Sequence, residues 1–412
     1  MGVIYKKYTG RKCEIFVVIY ILHIIRFYYF LPYTFLHNIL NAIDILYAFF
    51  FAFCFIKYKS RTTITKLEVA TAILYVVFLL SVFIGIKNGQ QIDRVLKYTS
   101  MVFLQFGFYY YLRLHNVSTE FLLKLLKRLL IGYAVITVLC YLQYPNCWFG
   151  GDDEQSLARM KSSLEDRGLI RFTLPCKMLV PLFMEIQNLG LWVNNKMKIF
   201  ILFILLLFIG NRFPLVISLL VIGYMIAVSN NIKFFRKIQT GVVVAAVIAM
   251  LSFVSVTRNI IDSLIQTTVN ERDAGDENNI RVLAATYFFL EFNGDKLEPK
   301  IIGNGIASNG NDMYSKEMKY LNEEVGFWES DVGYCEIYIY FGVIGLLGLF
   351  FWCYGVYDIK IEESYKYIKY YFLFLMVSMI CGGYWFENIY VVNILTYTLV
   401  KSNENIMNKI YV

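Results

Sequence analysis

The sequence predicts an all-α polytopic membrane protein, with about twelve transmembrane helices and one large extracytoplasmic loop. Three observations carry that fold class. The 412 residues are 58% hydrophobic and only 17% charged, whereas a soluble chain carries roughly a quarter charged residues. Apolar runs of about 20 residues recur along the chain, the length that crosses about 30 Å of hydrocarbon. These runs do not alternate: Ile201 to Phe208 reads Ile-Leu-Phe-Ile-Leu-Leu-Leu-Phe, without the period of two that an outer-membrane barrel strand needs.

In order, the predicted spans are 13–31, 38–56, 67–86, 95–112, 122–142, 169–192, 197–210, 213–229, 238–257, 332–357, 367–383 and 386–400. The first follows a basic start (Lys6, Lys7, Arg11 and Lys12). It is too long for the core of a signal peptide and no small-residue cleavage site follows, so a retained span is expected. The weakest is 169–192, which contains Pro175, Lys177, Pro181 and Glu185; a re-entrant segment there would invert everything after it. Domain organisation follows: 1–257 as nine helices with a short outer loop at 143–168, 258–331 as the large outer loop, and 332–412 as three helices and a cytoplasmic tail.

Charge orients the array. The even-to-odd connections are basic: Lys57, Lys59, Arg61 and Lys66; Arg113, Lys124, Lys127 and Arg128; Lys233, Arg236 and Lys237; Lys360, Lys366 and Lys369. Basic loops stay cytoplasmic, which places both termini in the cytoplasm and turns 258–331 outward. The same rule accounts for the net charge of +8 without nucleic acid. The eight Cys show neither zinc spacing nor a disulfide framework, and four of them (Cys54, Cys140, Cys353 and Cys381) fall inside spans. His23, His37 and His115 are scattered and build no metal site. No phosphate-binding Gly-Lys-Ser/Thr loop and no nucleophile elbow is present. No cofactor is expected. Asp44 and Arg26, in the first two spans, read as a structural ion pair.

Chemistry is expected in and around the polar segment. Arg212 lies in Gly210-Asn-Arg-Phe-Pro214, a tight outer hairpin between two spans. It is either a snorkelling interface charge or an anion ligand at the depth of a lipid-linked phosphate, where a planar, permanently charged fork binds oxygens two at a time. Arg281 falls near the start of a helix predicted over 277–290, capped by Asn278 or Asn279. Ile280, Leu283, Ala284, Tyr287 and Phe288 give that helix an apolar face at helical spacing, suited to the membrane interface. Arg281 is either solvated or part of an anion site, with Arg258 and Arg272 as further loop cations. Ile301-Ile-Gly-Asn-Gly-Ile306, with Gly303 and Gly305, reads by itself as a turn.

Asp331 falls where the loop re-enters the membrane, an edge that suits a carboxylate to accept a proton. Glu329 offers the same chemistry. Glu336 lies about one turn inside the span, where an ionisable group is costly. Any of the three is alternatively a plain partner for an Arg. Gly342, Gly345 and Gly348 are expected to serve close helix packing. Tyr314, Tyr320, Trp328 and Tyr334 are either stacking platforms for sugars or packing residues.

The order of these features resembles the O-antigen polymerase and O-antigen ligase superfamily: Arg212 between adjacent spans, a large outer loop with an Arg-bearing helix, then Ile-Gly-Asn-Gly, then Asp331 about eleven residues before Gly-Val-Ile-Gly-Leu. The match covers residues 197–350. The resemblance implies a metal-independent, inverting glycosyltransferase with a GT-C-like fold. It would act on undecaprenyl-diphosphate-linked glycans at the outer face of the bacterial inner membrane. Arg212 resembles the Arg of the family's hairpin before the eighth span, and Arg281 the loop Arg preceding its Gly-x-Gly. Asp331 stands where many ligases have His, which directs the reading to the polymerase branch (Wzy-type). Implied partners are the lipid-diphosphate donor and acceptor, membrane lipid, a chain-length regulator and a flippase. Two alternatives stay open: an O-antigen ligase moving polymer onto lipid A–core, and a polysaccharide-repeat flippase, against which the scarcity of mid-span ions argues.

Overall fold

The structure, a computed structural model, describes residues 2–27, 33–59, 65–144, 176–189, 196–208, 212–228, 280–307, 310 and 312–410. The predicted span at 238–257, most of the outer loop at 143–168, Arg258 and Arg272 lie outside these residues, as does the side chain of Arg212.

Among the described residues the secondary structure is helical throughout, with no strand. In chain order the helices are α1 (Gly2–Ile24), α2 (Tyr33–Lys59), α3 (Lys66–Lys87), α4 (Ile92–Phe103), α5 (Phe108–His115), α6 (Thr119–Gln143), α7 (Leu179–Leu189), α8 (Lys196–Phe208) and α9 (Arg212–Val228). There follow α10 (Ile280–Thr286), α11 (Leu297–Ile302), α12 (Met313–Tyr320), α13 (Gly333–Tyr357), α14 (Lys366–Ser378), α15 (Tyr384–Glu387) and α16 (Ile389–Ile410). Three of them, α3, α6 and α13, are long and apolar enough to cross a membrane; at 1.5 Å per residue each is longer than about 30 Å. The chain is thus suited to a membrane.

Local chemistry sets the helix ends. Thr65 begins α3 through a capping box: its side chain accepts from Glu68 N, and its own N–H donates to Glu68 Oε2 at 2.5 Å. Asn116, in the left-handed region at φ 48°, closes α5. Ser118 Oγ then accepts from Phe121 N at 3.3 Å at the start of α6. Asp312 caps α12 by accepting from Ser315 N at 2.8 Å.

Two compact units result. The first joins Met1–Tyr28, Pro32–Arg128 and Ile280–Val412; the second comprises Tyr29–Leu31 and Leu129–Asn279. The described part of the polar segment, from residue 280, falls in the first unit.

In the first unit the first half of α16 is enclosed on every side: Tyr390, Val391, Val392, Ile394, Leu395, Tyr397 and Leu399 are all buried, and this helix packs against α5. In the same unit α3 packs against α13, α2 against α5, and α11 against α13. Asp44 is fully buried and is held by His23 Nε2 at 2.7 Å and Arg26 Nη2 at 2.5 Å. The expected Asp44–Arg26 pair is present, and His23 completes it.

The span predicted at 95–112 is not one helix. It breaks at a 3₁₀ turn, Leu104–Gly107, between α4 and α5. A break frees backbone groups that must find partners away from water. Asn393 of α16 supplies them: its Oδ1 accepts from Tyr109 N at 3.2 Å and its Nδ2 donates to Gln105 O at 3.2 Å.

In the second unit α7, α8 and α9 pack on one another. Within the weak span predicted at 169–192, the described helix is only 179–189. A turn at Cys176–Met178 precedes it, with Cys176 at φ 65°.

Candidate functional site

The site is assembled on the first unit, where the polar segment meets α13. α10 runs on through a π-turn at Tyr287–Glu291. Ala284 and Phe288, one turn apart, are its buried residues. Ile280 and Leu283, expected on the same apolar face, are exposed together with Val282 and Leu290. The apolar face is therefore split, one edge packed on protein and the other open. Tyr287 packs against Phe327 with ring centres 5.7 Å apart, and Phe289 against Tyr338 at 5.2 Å. These ring contacts tie α10 to the chain on both sides of the 3₁₀ turn Glu329–Asp331.

That turn brings the candidate groups together. Arg281 Nε lies 3.9 Å from Asp331 Oδ2, and both side chains are close to half exposed. Two residues earlier Glu329 is buried. Tyr340 Oη donates to its Oε1 at 2.5 Å, and the Asn322 amide, with its nitrogen assigned to the side facing Glu329, donates to its Oε2 at 3.0 Å. The two acids are thus in opposite situations. Asp331 is reachable from outside and loosely paired, while Glu329 is enclosed with a donor on each oxygen. Glu336, one turn into α13, stands beside Gly383, where an added Cβ would fall 2.6 Å from its Oε2.

The Gly-Asn-Gly turn has a structural task that the sequence did not show. α13 is not a continuous helix: Gly342 has φ 64° and ψ −167°. Gly303-Asn304-Gly305 docks on the turn before this break. Asn304 N donates to Ile339 O at 2.8 Å and Gly305 N to Tyr340 O at 3.0 Å. Asn304 Nδ2 adds bonds to Ile339 O at 3.1 Å and Asn293 Oδ1 at 2.9 Å, and Asn88 Nδ2 donates to Asn304 O at 3.0 Å. The contact admits no side chain at either glycine. A Cβ at Gly303 would lie 2.3 Å from Tyr340 O, and one at Gly342 would lie 2.2 Å from Ile301 O. Gly342 therefore allows the close packing expected of it, against Ile301 of α11, and also breaks the helix. Gly348 does abut a neighbouring helix, as expected, facing Leu74 of α3.

The aromatic candidates divide in the same way. Tyr320 and Trp328 are exposed. Tyr334 Oη donates to Met376 O at 2.7 Å and Tyr314 Oη to Gly305 O at 3.0 Å, so both are engaged inside the protein. Burial pushes the Tyr314 hydroxyl well above the usual tyrosine range, and the charges of Glu329, Glu317 and Asp312 add to it.

Arg281, Asp331, Glu329, Glu336, Gly303 and Gly305 are therefore neighbours in one unit. Arg212 opens α9 in the other unit. Nothing in their local sequence marks Asn322 and Tyr340 as neighbours of Glu329, and the Ile-Gly-Asn-Gly motif does not show that Asn304 bonds Ile339 O, 35 residues away. Among the described residues no group of three or more His, Cys, Asp or Glu side chains is placed to hold a metal ion. Compared with known proteins, the chain matches no family model, no curated protein and no solved structure.

Proposed function

We propose that this protein polymerises undecaprenyl-diphosphate-linked oligosaccharide repeat units into O-antigen or capsular polysaccharide. On this reading it is a twelve-span inner-membrane protein, both termini are cytoplasmic, and the outer segment faces the periplasm. The observation that carries the reading is the convergence of Arg281, Asp331 and buried Glu329 at the point where the polar segment enters α13.

The chemistry is a single displacement. An acceptor sugar hydroxyl attacks the anomeric carbon of the donor. The new glycosidic C–O bond forms as the bond to the lipid diphosphate breaks, with inversion. Asp331 takes the hydroxyl proton. Its accessibility favours it over Glu329, whose two oxygens are occupied and which serves to hold the turn. Arg281 offsets the charge that develops on the departing diphosphate. The leaving group is already activated, so no nucleotide is required. Trp328, exposed beside the turn, offers a flat face for a sugar ring.

The test is the glycan profile of a strain lacking the gene, complemented with wild type or Arg281→Ala. A polymerase leaves single repeats on lipid A–core, or lipid-linked single repeats without polymer, and Arg281→Ala fails to restore length. Long polymer retained on its carrier identifies a ligase. Repeats trapped on the cytoplasmic face identify a flippase.

A further inference from the structure

The proposed chemistry leaves Glu185 unused. It lies in α7, in the second unit, and is 1% exposed. Among the described residues neither of its carboxyl oxygens, both buried, has a hydrogen-bond partner. The titratable residues on the described elements packed on α7 are Cys176 and Lys177 in the preceding turn, Lys196 and Lys198 on α8, and Arg212 and Tyr224 on α9.

A second observation concerns the helix that carries it. α7 starts from a turn whose Cys176 sits at φ 65°, with Pro181 in the first turn. Met178, Leu179, Val180, Leu182 and Met184 around it are all buried. An ionisable group enclosed in this way is costly enough to require a use.

The surroundings select the ligand. A metal cation needs several oxygens around it, and among the described residues no group of three or more His, Cys, Asp or Glu side chains could hold one. A proton needs a single oxygen, and the neutral acid avoids the several kcal/mol that an unpaired buried charge costs. We infer that Glu185 is a proton-binding site inside the second unit, a carboxyl on helix α7 that takes up and releases a proton. This does not depend on the polymerase reading.

The experiment treats the full-length protein in lipid vesicles with dicyclohexylcarbodiimide, which reaches apolar sites and reacts with the neutral acid. Modified residues are mapped by mass spectrometry, beside a water-soluble carbodiimide. Glu185 is expected to be modified by the lipid-soluble reagent and spared by the water-soluble one, which modifies exposed acids such as Glu323. The yield at Glu185 is expected to fall roughly tenfold per pH unit once the proton is lost. In Glu185→Gln, a neutral variant of the same shape, the adduct disappears while the Glu323 adduct remains. Failure to modify Glu185 at any pH, equal modification by both reagents, or a yield independent of pH would each overturn the assignment.

Discussion

Tyr340 Oη donates to Glu329 Oε1 at 2.5 Å, and this bond joins the turn ahead of α13 to the stretch of α13 just before its break. The carboxylate is buried, so its donors matter more than those of a surface acid: a hydrogen bond to a charged group is worth about 1.5–3 kcal/mol. Tyr340→Phe removes the donor and leaves the ring. It is expected to destabilise the protein by about 1–3 kcal/mol, read as a fall in thermal midpoint in detergent. Asn322→Ala is expected to act in the same direction through the other oxygen. An unchanged midpoint in both variants would show that Glu329 is hydrated rather than held.

Gly303 and Gly342 support a sharper prediction. Each has positive φ, and an added Cβ at either meets backbone within 2.4 Å. Left-handed backbone costs a non-glycine residue about 1–3 kcal/mol, and the clash adds to it. Gly303→Ala and Gly342→Ala are therefore expected to lower stability by more than about 2 kcal/mol each. Gly132, inside α6 with nothing within 4 Å of an added Cβ, provides the contrast: Gly132→Ala is expected to raise helix stability by about 0.5–1 kcal/mol. Thermal midpoints of the three variants decide the matter by their signs.

What was legible in the sequence follows from what is local. The helices stand near where apolar length and flanking charge put them: α3, α6 and α13 lie within a few residues of 67–86, 122–142 and 332–357. Arg281 and Asp331 come within 3.9 Å, a pairing that the sequence leaves open between a plain ion pair and a working site. The breaks were not legible. Leu104–Gly107 looks like uninterrupted span because its repair comes from Asn393, almost 300 residues away. Gly342 reads as one more small residue in a row of glycines, because the segment that fills its break, Gly303 to Gly305, is recognisable only once the chain has folded back. Asn293, Asn304 and Asn393 are polar residues whose task is to satisfy backbone, and no periodicity announces that.

The Asp44 cluster yields a stability prediction independent of function. Asp44 is fully buried between His23 and Arg26. Removing one member of a buried ionic cluster leaves its partners uncompensated, at about 3–5 kcal/mol. Asp44→Ala is expected to destabilise the first unit by that order. Asp44→Leu combined with Arg26→Met, which removes both charges, is expected to recover much of the loss. Thermal denaturation of the single and double variants measures the coupling; additive losses would mean that the two groups are independently solvated.

The alkaline limb of stability tests Tyr314. Its hydroxyl is held well above the usual range, by burial first and then by Glu329, Glu317 and Asp312. The folded state therefore keeps this proton where the unfolded chain, titrating near pH 10, gives it up. The sign follows: the contribution is fully present below about pH 10 and is lost as pH rises from there through the folded value. Tyr314→Phe removes that contribution and also the bond to Gly305 O. It is expected to lower stability at neutral pH and to flatten the alkaline decline relative to wild type. Parallel slopes for the two proteins would mean that Tyr314 ionises freely.

Arg281 and Asp331 separate function from stability. Their contact is 3.9 Å long with both side chains close to half exposed, and exposed pairs contribute about 0–1 kcal/mol. Arg281→Ala and Asp331→Asn are therefore expected to leave the thermal midpoint nearly unchanged. If the proposed displacement is correct, both nevertheless abolish long polymer in the complemented strain. Arg281→Lys keeps the charge but loses the planar fork that engages two phosphate oxygens at once, so it is expected to restore only short chains. Asp331→Glu retains a proton acceptor one methylene further out and is expected to keep a fraction of the activity that Asp331→Asn loses. A stable Asp331→Asn protein that still makes full-length polymer would remove the base from this mechanism. With Glu329 already occupied by two donors, Glu336 would then be the next acid to test.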